Sequence, residues 1–253
     1  MNIGLTFPTK NRVEKVKRLI LSIKNSLKPN SHIVHFCLAL NVTDIAVKDY
    51  LKLAHNFECD NLKFHFIYMN HWRGLGFSFN VICKDLPKEV ETISMFGDDM
   101  IIPESQKVFD KIEDTLMRKW APDHIGAIWF NDGTPHNFQC TNPIAINGFV
   151  HVNWYKALGI FVPGEFIGDY SDNWLSDTAR ALGRFEVVRD LKIPHLHVLY
   201  NPSENDKTAR DKIAYEKQIR YKASMVWGKQ ISQTPKTLEK LRKFIEQQNG
   251  KIV

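Results

Sequence analysis

The 253-residue sequence predicts an α/β fold, with a mostly parallel central sheet flanked by helices and a C-terminal helical tail. Three observations carry that expectation. Short apolar runs alternate with stretches of helical spacing over the first 131 residues, the turn Gly97-Asp98-Asp99 follows one such run directly, and basic residues concentrate beyond residue 205. Alternation of this kind gives parallel strands, because each crossover helix returns the chain to the same end of the sheet.

Residues 3–7 (IGLTF) read as a buried strand stopped by Pro8. A helix is expected next, since Val13, Val16, Leu19, Ile20, Ile23 and Leu27 fall at helical spacing. Asn11 is its expected N-cap, with Glu14 three residues on as the partner of a capping box. The turn Lys28-Pro29-Asn30-Ser31 ends it, and a strand over 32–40, a short helix over 43–56 and a strand over 62–69 follow. Gly74-Leu75-Gly76 leads into another helical segment, then a strand over 91–96 runs into the acidic turn. Pro103 and Glu104 are expected to open a helix with Val108, Ile112 and Leu116 on one face, and residues 124–131 to form a further strand. Residues 132–153, rich in Gly, Pro, Asn and aromatics, read as pocket-shaping loops. A helix over 172–182, a strand near 185–188 and a second short strand ending in His195-Leu196-His197 complete the domain, which is expected to span 1–205. The turn Asn201-Pro202-Ser203 leads to a basic helical tail over 206–253.

A composition 43% hydrophobic and 25% charged is that of a globular protein with a full core. Cys37, Cys59, Cys83 and Cys140 are scattered and form no CxxC pair, which points to reduced thiols. No charged leader precedes the first strand, and no stretch approaches the length of a membrane-spanning helix. A cytoplasmic protein without a transmembrane anchor is the expectation. Net charge is +6, yet residues 206–253 alone hold 12 Lys/Arg against 5 Asp/Glu, so the whole basic excess lies in the tail. A positive tail attracts phosphate-rich partners, nucleic acid or an anionic membrane surface, or else forms a solvated helical face.

Asp98 and Asp99 follow a buried strand, where ligands of open α/β sheets collect. Adjacent carboxylates repel unless something positive neutralises them, and Mg²⁺ or Mn²⁺ does so while bridging to substrate phosphates. A simple turn or helix cap would also account for the pair. His195 and His197, at alternating positions, offer a second candidate ligand set, or core histidines hydrogen-bonded to backbone.

Taken in order, these parts resemble the family-2 glycosyltransferases of the GT-A fold. Residues 6–12 (TFPTKNR) look like that family's opening strand and nucleotide-contacting loop, and residues 70–80 (NHWRGLGFSFN) its Gly- and Asn-containing segment. Phe96-Gly97-Asp98-Asp99 falls at its DxD-type motif, and Ser171-Asp172-Asn173-Trp174, with Gly183 beyond, at its Glu-Asp motif. The resemblance covers residues 2–200 and departs at three places: Phe96 replaces the first Asp, Ser171 the Glu, and Asn41 the Asp usually offered to the nucleotide base.

The resemblance implies transfer, with inversion, of a sugar from a nucleotide diphosphate sugar, a UDP-sugar by family habit, with Mn²⁺ or Mg²⁺ as cofactor. It places Pro8, Thr9, Lys10, Arg12, Asn41, Arg73, Gly76, Asn80 and Asp98 at the donor, and Asp98, Asp99 and His197 at the metal. Asp172 becomes the general base, with Asp169 and Asp177 as rivals. Trp129, His136, Phe138, Trp154, Tyr155 and Trp174 supply aromatic faces for an acceptor or for the core. The acceptor is expected to be a glycan, a small molecule, or DNA carrying a hydroxymethylated base, for which the basic tail would neutralise phosphates. A non-catalytic nucleotide-sugar or nucleic-acid binding module is the alternative from another class.

Overall fold

In the computed structural model, residues 1–134, 137, 139–198 and 201–250 are described, with side chains for all but 208, 209, 212, 213 and 215–221. His136 and Phe138 lie outside the described residues, as do the side chains of Ile213, Lys217, Ile219 and Arg220 in the tail.

Among the described residues, seven strands form one sheet in the order β3-β2-β1-β4-β6-β5-β7. The strands are β1 (Asn2–Thr9), β2 (Ile33–Asn41), β3 (Leu62–Met69), β4 (Thr92–Met95), β5 (Ala127–Asn131), β6 (Phe149–His151) and β7 (Phe185–Lys192). β1 runs parallel to β2 and β4, β2 parallel to β3, and β5 parallel to β7. Only β6 is reversed, antiparallel to both β4 and β5. Central strands are apolar on both faces because helices cover both: β2 is buried from Val34 through Leu40.

Helices α1 (Val13–Lys24), α2 (Val47–Phe57) and α4 (Ser105–Ile112) pack on one face, where Leu19, Ile20, Leu53, Phe109 and Ile112 meet Ile3, Leu5, Phe7, Phe36 and Leu38. α4 runs on as a π-helical turn, Glu113–Lys119. On the other face α3 (Leu75–Lys84), α5 (Val152–Leu158), α6 (Ser171–Ala181) and α7 (Lys207–Asn249) join a second core built on Phe79, Trp154, Trp174, Leu175 and Leu241. Alternate residues of β2 therefore serve different layers, with Phe36 and Leu38 on the first face and Cys37 and Ala39 on the second.

Several expectations need correction. Asn11 does not cap α1: it sits at φ 54° outside the helix, and its N–H goes to Asp44 Oδ2 at 3.1 Å. The helix instead begins after Arg12, with no side-chain cap. β1 continues through Pro8 to Thr9, because on that strand Pro8 can pair as a parallel neighbour of Ala39. The loop region 132–153 contains β6, inserted between β4 and β5. His195 and His197 do not end a strand; His195 forms a single antiparallel bridge with Met100. Trp129 and Trp154 are fully buried and Trp174 nearly so, which makes all three core residues rather than acceptor platforms.

All four cysteines are unpaired. No helix among the described residues is long and apolar enough to cross a membrane.

Candidate active site

A cleft of about 1770 Å³ opens at the carboxyl ends of β1, β2 and β4. Its walls include Pro8, Thr9, Lys10 and Arg12 after β1, Asn41 after β2, Asp98 and Asp99 after β4, and Asp169 and Asp172 at the start of α6. His195, His197, Asp206 and Lys207 line it from the C-terminal side. The topology thus gathers residues as far apart in sequence as Pro8 and Asp211, because parallel strands present all their carboxyl ends together.

Asp98 is buried, and each of its oxygens has a partner. Thr9 Oγ1 donates to Oδ2 at 2.7 Å and Arg12 Nη1 to Oδ1 at 2.8 Å. Burial pushes the Asp98 carboxyl above the ordinary range and the neighbouring Asp99 adds to this, while Arg12 and Thr9 oppose both. Burial also works against the charge on Arg12, but the carboxylates of Asp98 and Asp206 outweigh it and hold its pKa above the ordinary value. Tyr50 completes this corner: its hydroxyl accepts from the Arg12 N–H at 2.9 Å and lies 3.0 Å from Thr9 Oγ1.

The second Arg12 nitrogen reaches Asp206 Oδ1 at 3.1 Å, just ahead of α7. Lys15 holds the other oxygen of Asp206 at 2.8 Å and Glu204 at 3.0 Å, and Arg18 grips Glu204 at 2.6 and 3.2 Å. Residues 204–206 are thereby clamped onto α1. This network was missed in the sequence, where Arg12 reads as a phosphate contact; its two terminal nitrogens are committed to carboxylates instead.

Gly97 explains how Asp99 reaches the cleft. A Cβ there would stand 2.6 Å from Asp99 Oδ1, so any larger residue would push that carboxylate from its position over the turn. Asp99 Oδ1 lies 3.4 Å from His195 Nε2, and the His195 and His197 rings meet edge to face with centroids 5.1 Å apart. The donor set, a carboxylate oxygen and imidazole nitrogens on a cleft wall, suits Mn²⁺ or Mg²⁺ that completes its shell with substrate oxygens. Among the described residues no three His, Cys, Asp or Glu side chains are disposed to hold a metal ion by themselves.

Asp172 occupies the first turn of α6, where the helix dipole favours the carboxylate form, and its Oδ1 accepts from the Asn173 N–H at 2.9 Å. Asp169 precedes it on the loop and lines the same cleft; Asp177 forms a surface pair with Arg180 at 2.9 Å. Tyr170, between the two cleft carboxylates, stacks on Trp227 of α7 at 5.3 Å, so the long helix buttresses this loop.

Arg73, Gly76 and Asn80 are not among the described cleft walls. The exposed Arg73 guanidinium lies over Phe77. A Cβ on Gly76 would stand 2.2 Å from the Pro163 carbonyl oxygen, and the Gly76 N–H donates to Phe166 O at 2.9 Å. Asn80 accepts from the Phe161 N–H at 2.7 Å and donates to Val162 O at 2.7 Å. The Gly- and Asn-containing segment therefore seats the 161–167 stretch that leads to Asp169 and Asp172. Asn41 keeps its Oδ1 on its own turn, accepting from the N–H and hydroxyl of Thr43 at 2.9 and 2.7 Å, so its amide NH₂ is the group left to face the cleft. Trp72, 47% exposed, lines the cleft together with Ala39, Asn41 and Met69, a further residue that the sequence reading passed over.

No protein-family model matches the sequence, and no curated protein matches it either. Solved structures do. S. aureus TarS 1–349 superposes with a TM-score of 0.56 at 18% identity over 76% of this chain and 59% of that one. TarS 1–349 in complex with UDP-GlcNAc gives a TM-score of 0.56 at 16% identity over 76% and 57% of the two chains. The mannosyltransferase PcManGT from Pyrobaculum calidifontis, in complex with GDP-Man and Mn²⁺, gives 0.56 at 12% identity over 96% of this chain and 73% of that one. The chain spans about six-tenths of the TarS 1–349 structures it matches. The fold is that of a GT-A glycosyltransferase.

Proposed function

We propose that the chain transfers a glycosyl group from a nucleoside diphosphate sugar to an acceptor hydroxyl, with inversion. The observation that carries this reading is the cleft itself: in a GT-A fold, an acidic turn with a histidine pair faces the carboxylates of the α6 N-terminus across one cavity. The TarS and PcManGT structures, which hold UDP-GlcNAc and GDP-Man, support a nucleotide-sugar donor.

The donor nucleotide fits along the ends of β1 and β2, with Trp72 offering a face for a base and Asn41 donor hydrogens for its acceptor edge. Lys10, exposed on the cleft rim, is positioned to meet the diphosphate, whereas Arg12 acts by fixing Asp98 and the 204–206 segment. Asp99, His195 and His197 would hold the divalent cation, which when bound supplies Lewis-acid stabilisation to the departing diphosphate. Asp172 takes the proton from the acceptor hydroxyl as its oxygen bonds to the anomeric carbon and the carbon–phosphate-oxygen bond breaks. A single displacement of this kind inverts the anomeric centre.

The decisive experiment is a thermal-shift panel of UDP, GDP, CDP and ADP, each with and without Mn²⁺, followed by donor turnover. A ligand that binds only the folded state raises its apparent stability. One nucleotide should stand out and do so more strongly with Mn²⁺; no shift from any of them would remove the donor reading.

A further inference from the structure

Helix α7 carries a row of lysines that nothing in the proposed chemistry uses. At 100° per residue, Lys222, Lys229, Lys236, Lys240 and Lys243 fall within a sector of about 60°, a ridge one side chain wide and about 31 Å long. All five are exposed. Glu239 and Glu246, the acidic residues nearest in sequence, fall roughly a quarter turn to one side. On the ridge, Lys229 pairs with Glu165 at 3.7 Å, an exposed contact of little energy.

Two further facts say what such a ridge fits. Trp227, Leu241, Phe244 and Ile245 of α7 are packed into the second core, so these residues are not available to sink into a bilayer. Lys207, at the start of the same helix, lines the cleft and falls in the same angular sector, as does Asp211, which lines the cleft beside it, so the helix that carries the ridge begins at the cleft with a mixed-charge turn. A narrow line of ammonium groups matches a linear polyanion better than a planar surface, and lysine, a point charge without a fixed fork, neutralises phosphates without selecting a base.

We propose that duplex DNA docks by its phosphates along this ridge and delivers the acceptor to the cleft, an assignment that rests on the glycosyl-transfer reading for its chemistry but not for its binding. The test measures binding of the full chain to a fluorescent duplex across a salt series. The comparison is with a Lys229→Glu/Lys236→Glu/Lys240→Glu/Lys243→Glu variant, and with a control of equal net charge, Lys52→Glu/Lys84→Glu/Lys88→Glu/Lys107→Glu, whose sites are also exposed. Four or five phosphate contacts predict a log–log salt slope near about −4 for the wild type. The ridge variant should bind at least about 100-fold more weakly with a much shallower slope, while the control keeps most of the affinity. Lys→Gln replacements at the same four positions should give an intermediate loss.

Equal affinity of wild type and ridge variant overturns the proposal. So does a control that loses as much as the ridge variant, or a wild type that binds phosphatidylserine vesicles but not DNA at physiological salt. Nucleotide thermal shifts on the same preparations keep the two readings apart: ridge-dependent DNA binding without any nucleotide shift would retain the docking surface and discard glycosyl transfer.

Discussion

Arg12 Nη1 lies 2.8 Å from Asp98 Oδ1, and the same guanidinium spans to Asp206 at 3.1 Å, so one side chain ties the β1 loop, the acidic turn and the approach to α7 together. Arg12 is 11% exposed and Asp98 6%, which leaves little water to compensate either charge if its partner is removed. Arg12→Ala should therefore destabilise the fold by about 3 kcal/mol, the scale for an orphaned buried carboxylate. Arg12→Ala/Asp98→Asn should recover part of that loss, since the neutral amide can still accept from Thr9. Denaturant unfolding of the three proteins measures it; a single variant within about 0.5 kcal/mol of wild type would contradict a buried pair.

The carboxylates of Asp99 and Asp172 are assigned different work, and substitution should separate them. Asp99→Asn should lower donor turnover by about 100-fold and weaken its dependence on Mn²⁺, because a Lewis-acid contact is worth several kcal/mol. Asp172→Asn should abolish transfer while leaving the nucleotide thermal shift intact, since a general base acts on the acceptor. If Asp169→Asn shows the second pattern and Asp172→Asn stays active, the base is Asp169. Full turnover in excess EDTA would count against the cation.

Two glycines should respond to the same substitution with opposite sign. At Gly76 a Cβ would meet the Pro163 carbonyl oxygen at 2.2 Å, and backbone cannot move aside cheaply. Gly76→Ala should cost about 2–3 kcal/mol and displace the loop that carries Asp169 and Asp172, so transfer should fall further than stability alone explains. At Gly228, inside α7, nothing lies within 4 Å of the added atom. Gly228→Ala should gain about 0.5–1 kcal/mol through helix propensity. Thermal unfolding and product formation decide both; a neutral Gly76→Ala would mean that the 163–167 contact gives way.

What the sequence disclosed follows from how local each signal is. β2 was legible because a nearly continuous apolar run fits a strand buried in a covered sheet, and β3, half-buried at the sheet edge, because β-prone residues recur between two turns. The Asp98-Asp99 turn stood out because adjacent carboxylates after a strand need neutralising, which for Asp98 falls to Arg12. β6, three residues long inside a loop-rich stretch, offers no periodicity to read. Asn11 has the composition of an N-cap, yet Asp44, 33 positions away, claims its N–H and holds it at φ 54°. The bond from Arg12 to Asp206 spans 194 positions and has no sequence signal at all. Gly76 and Asn80 were found as a motif but not as what they do, because a packing glycine and a ligand-approach glycine look alike until the opposing backbone is placed.

The remaining prediction concerns pH. His151, the last residue of β6, is buried, with the His124 ring 4.8 Å away and Lys156 close enough to disfavour a further positive charge. Burial, then these neighbours, hold its pKa down at about 3, against an ordinary value of 6.5. Above pH 6.5 the ring is neutral in both folded and unfolded chains, so it contributes no pH dependence. Below that, the unfolded chain takes up a proton that the folded one refuses, and stability falls until the pH reaches the folded value. At pH 5 the loss from this residue alone should be about 2 kcal/mol. His35, held at about 4 by burial and by His65, acts in the same direction, so the variant must isolate His151. His151 Nδ1 accepts from the Asn153 N–H at 3.1 Å as the N-cap of α5, a role asparagine can fill. His151→Asn should therefore keep the cap and flatten the decline between pH 7.5 and pH 5 by about 2 kcal/mol relative to wild type. Unfolding curves for the two proteins that run parallel across that range would show that His151 takes up its proton without cost to the fold.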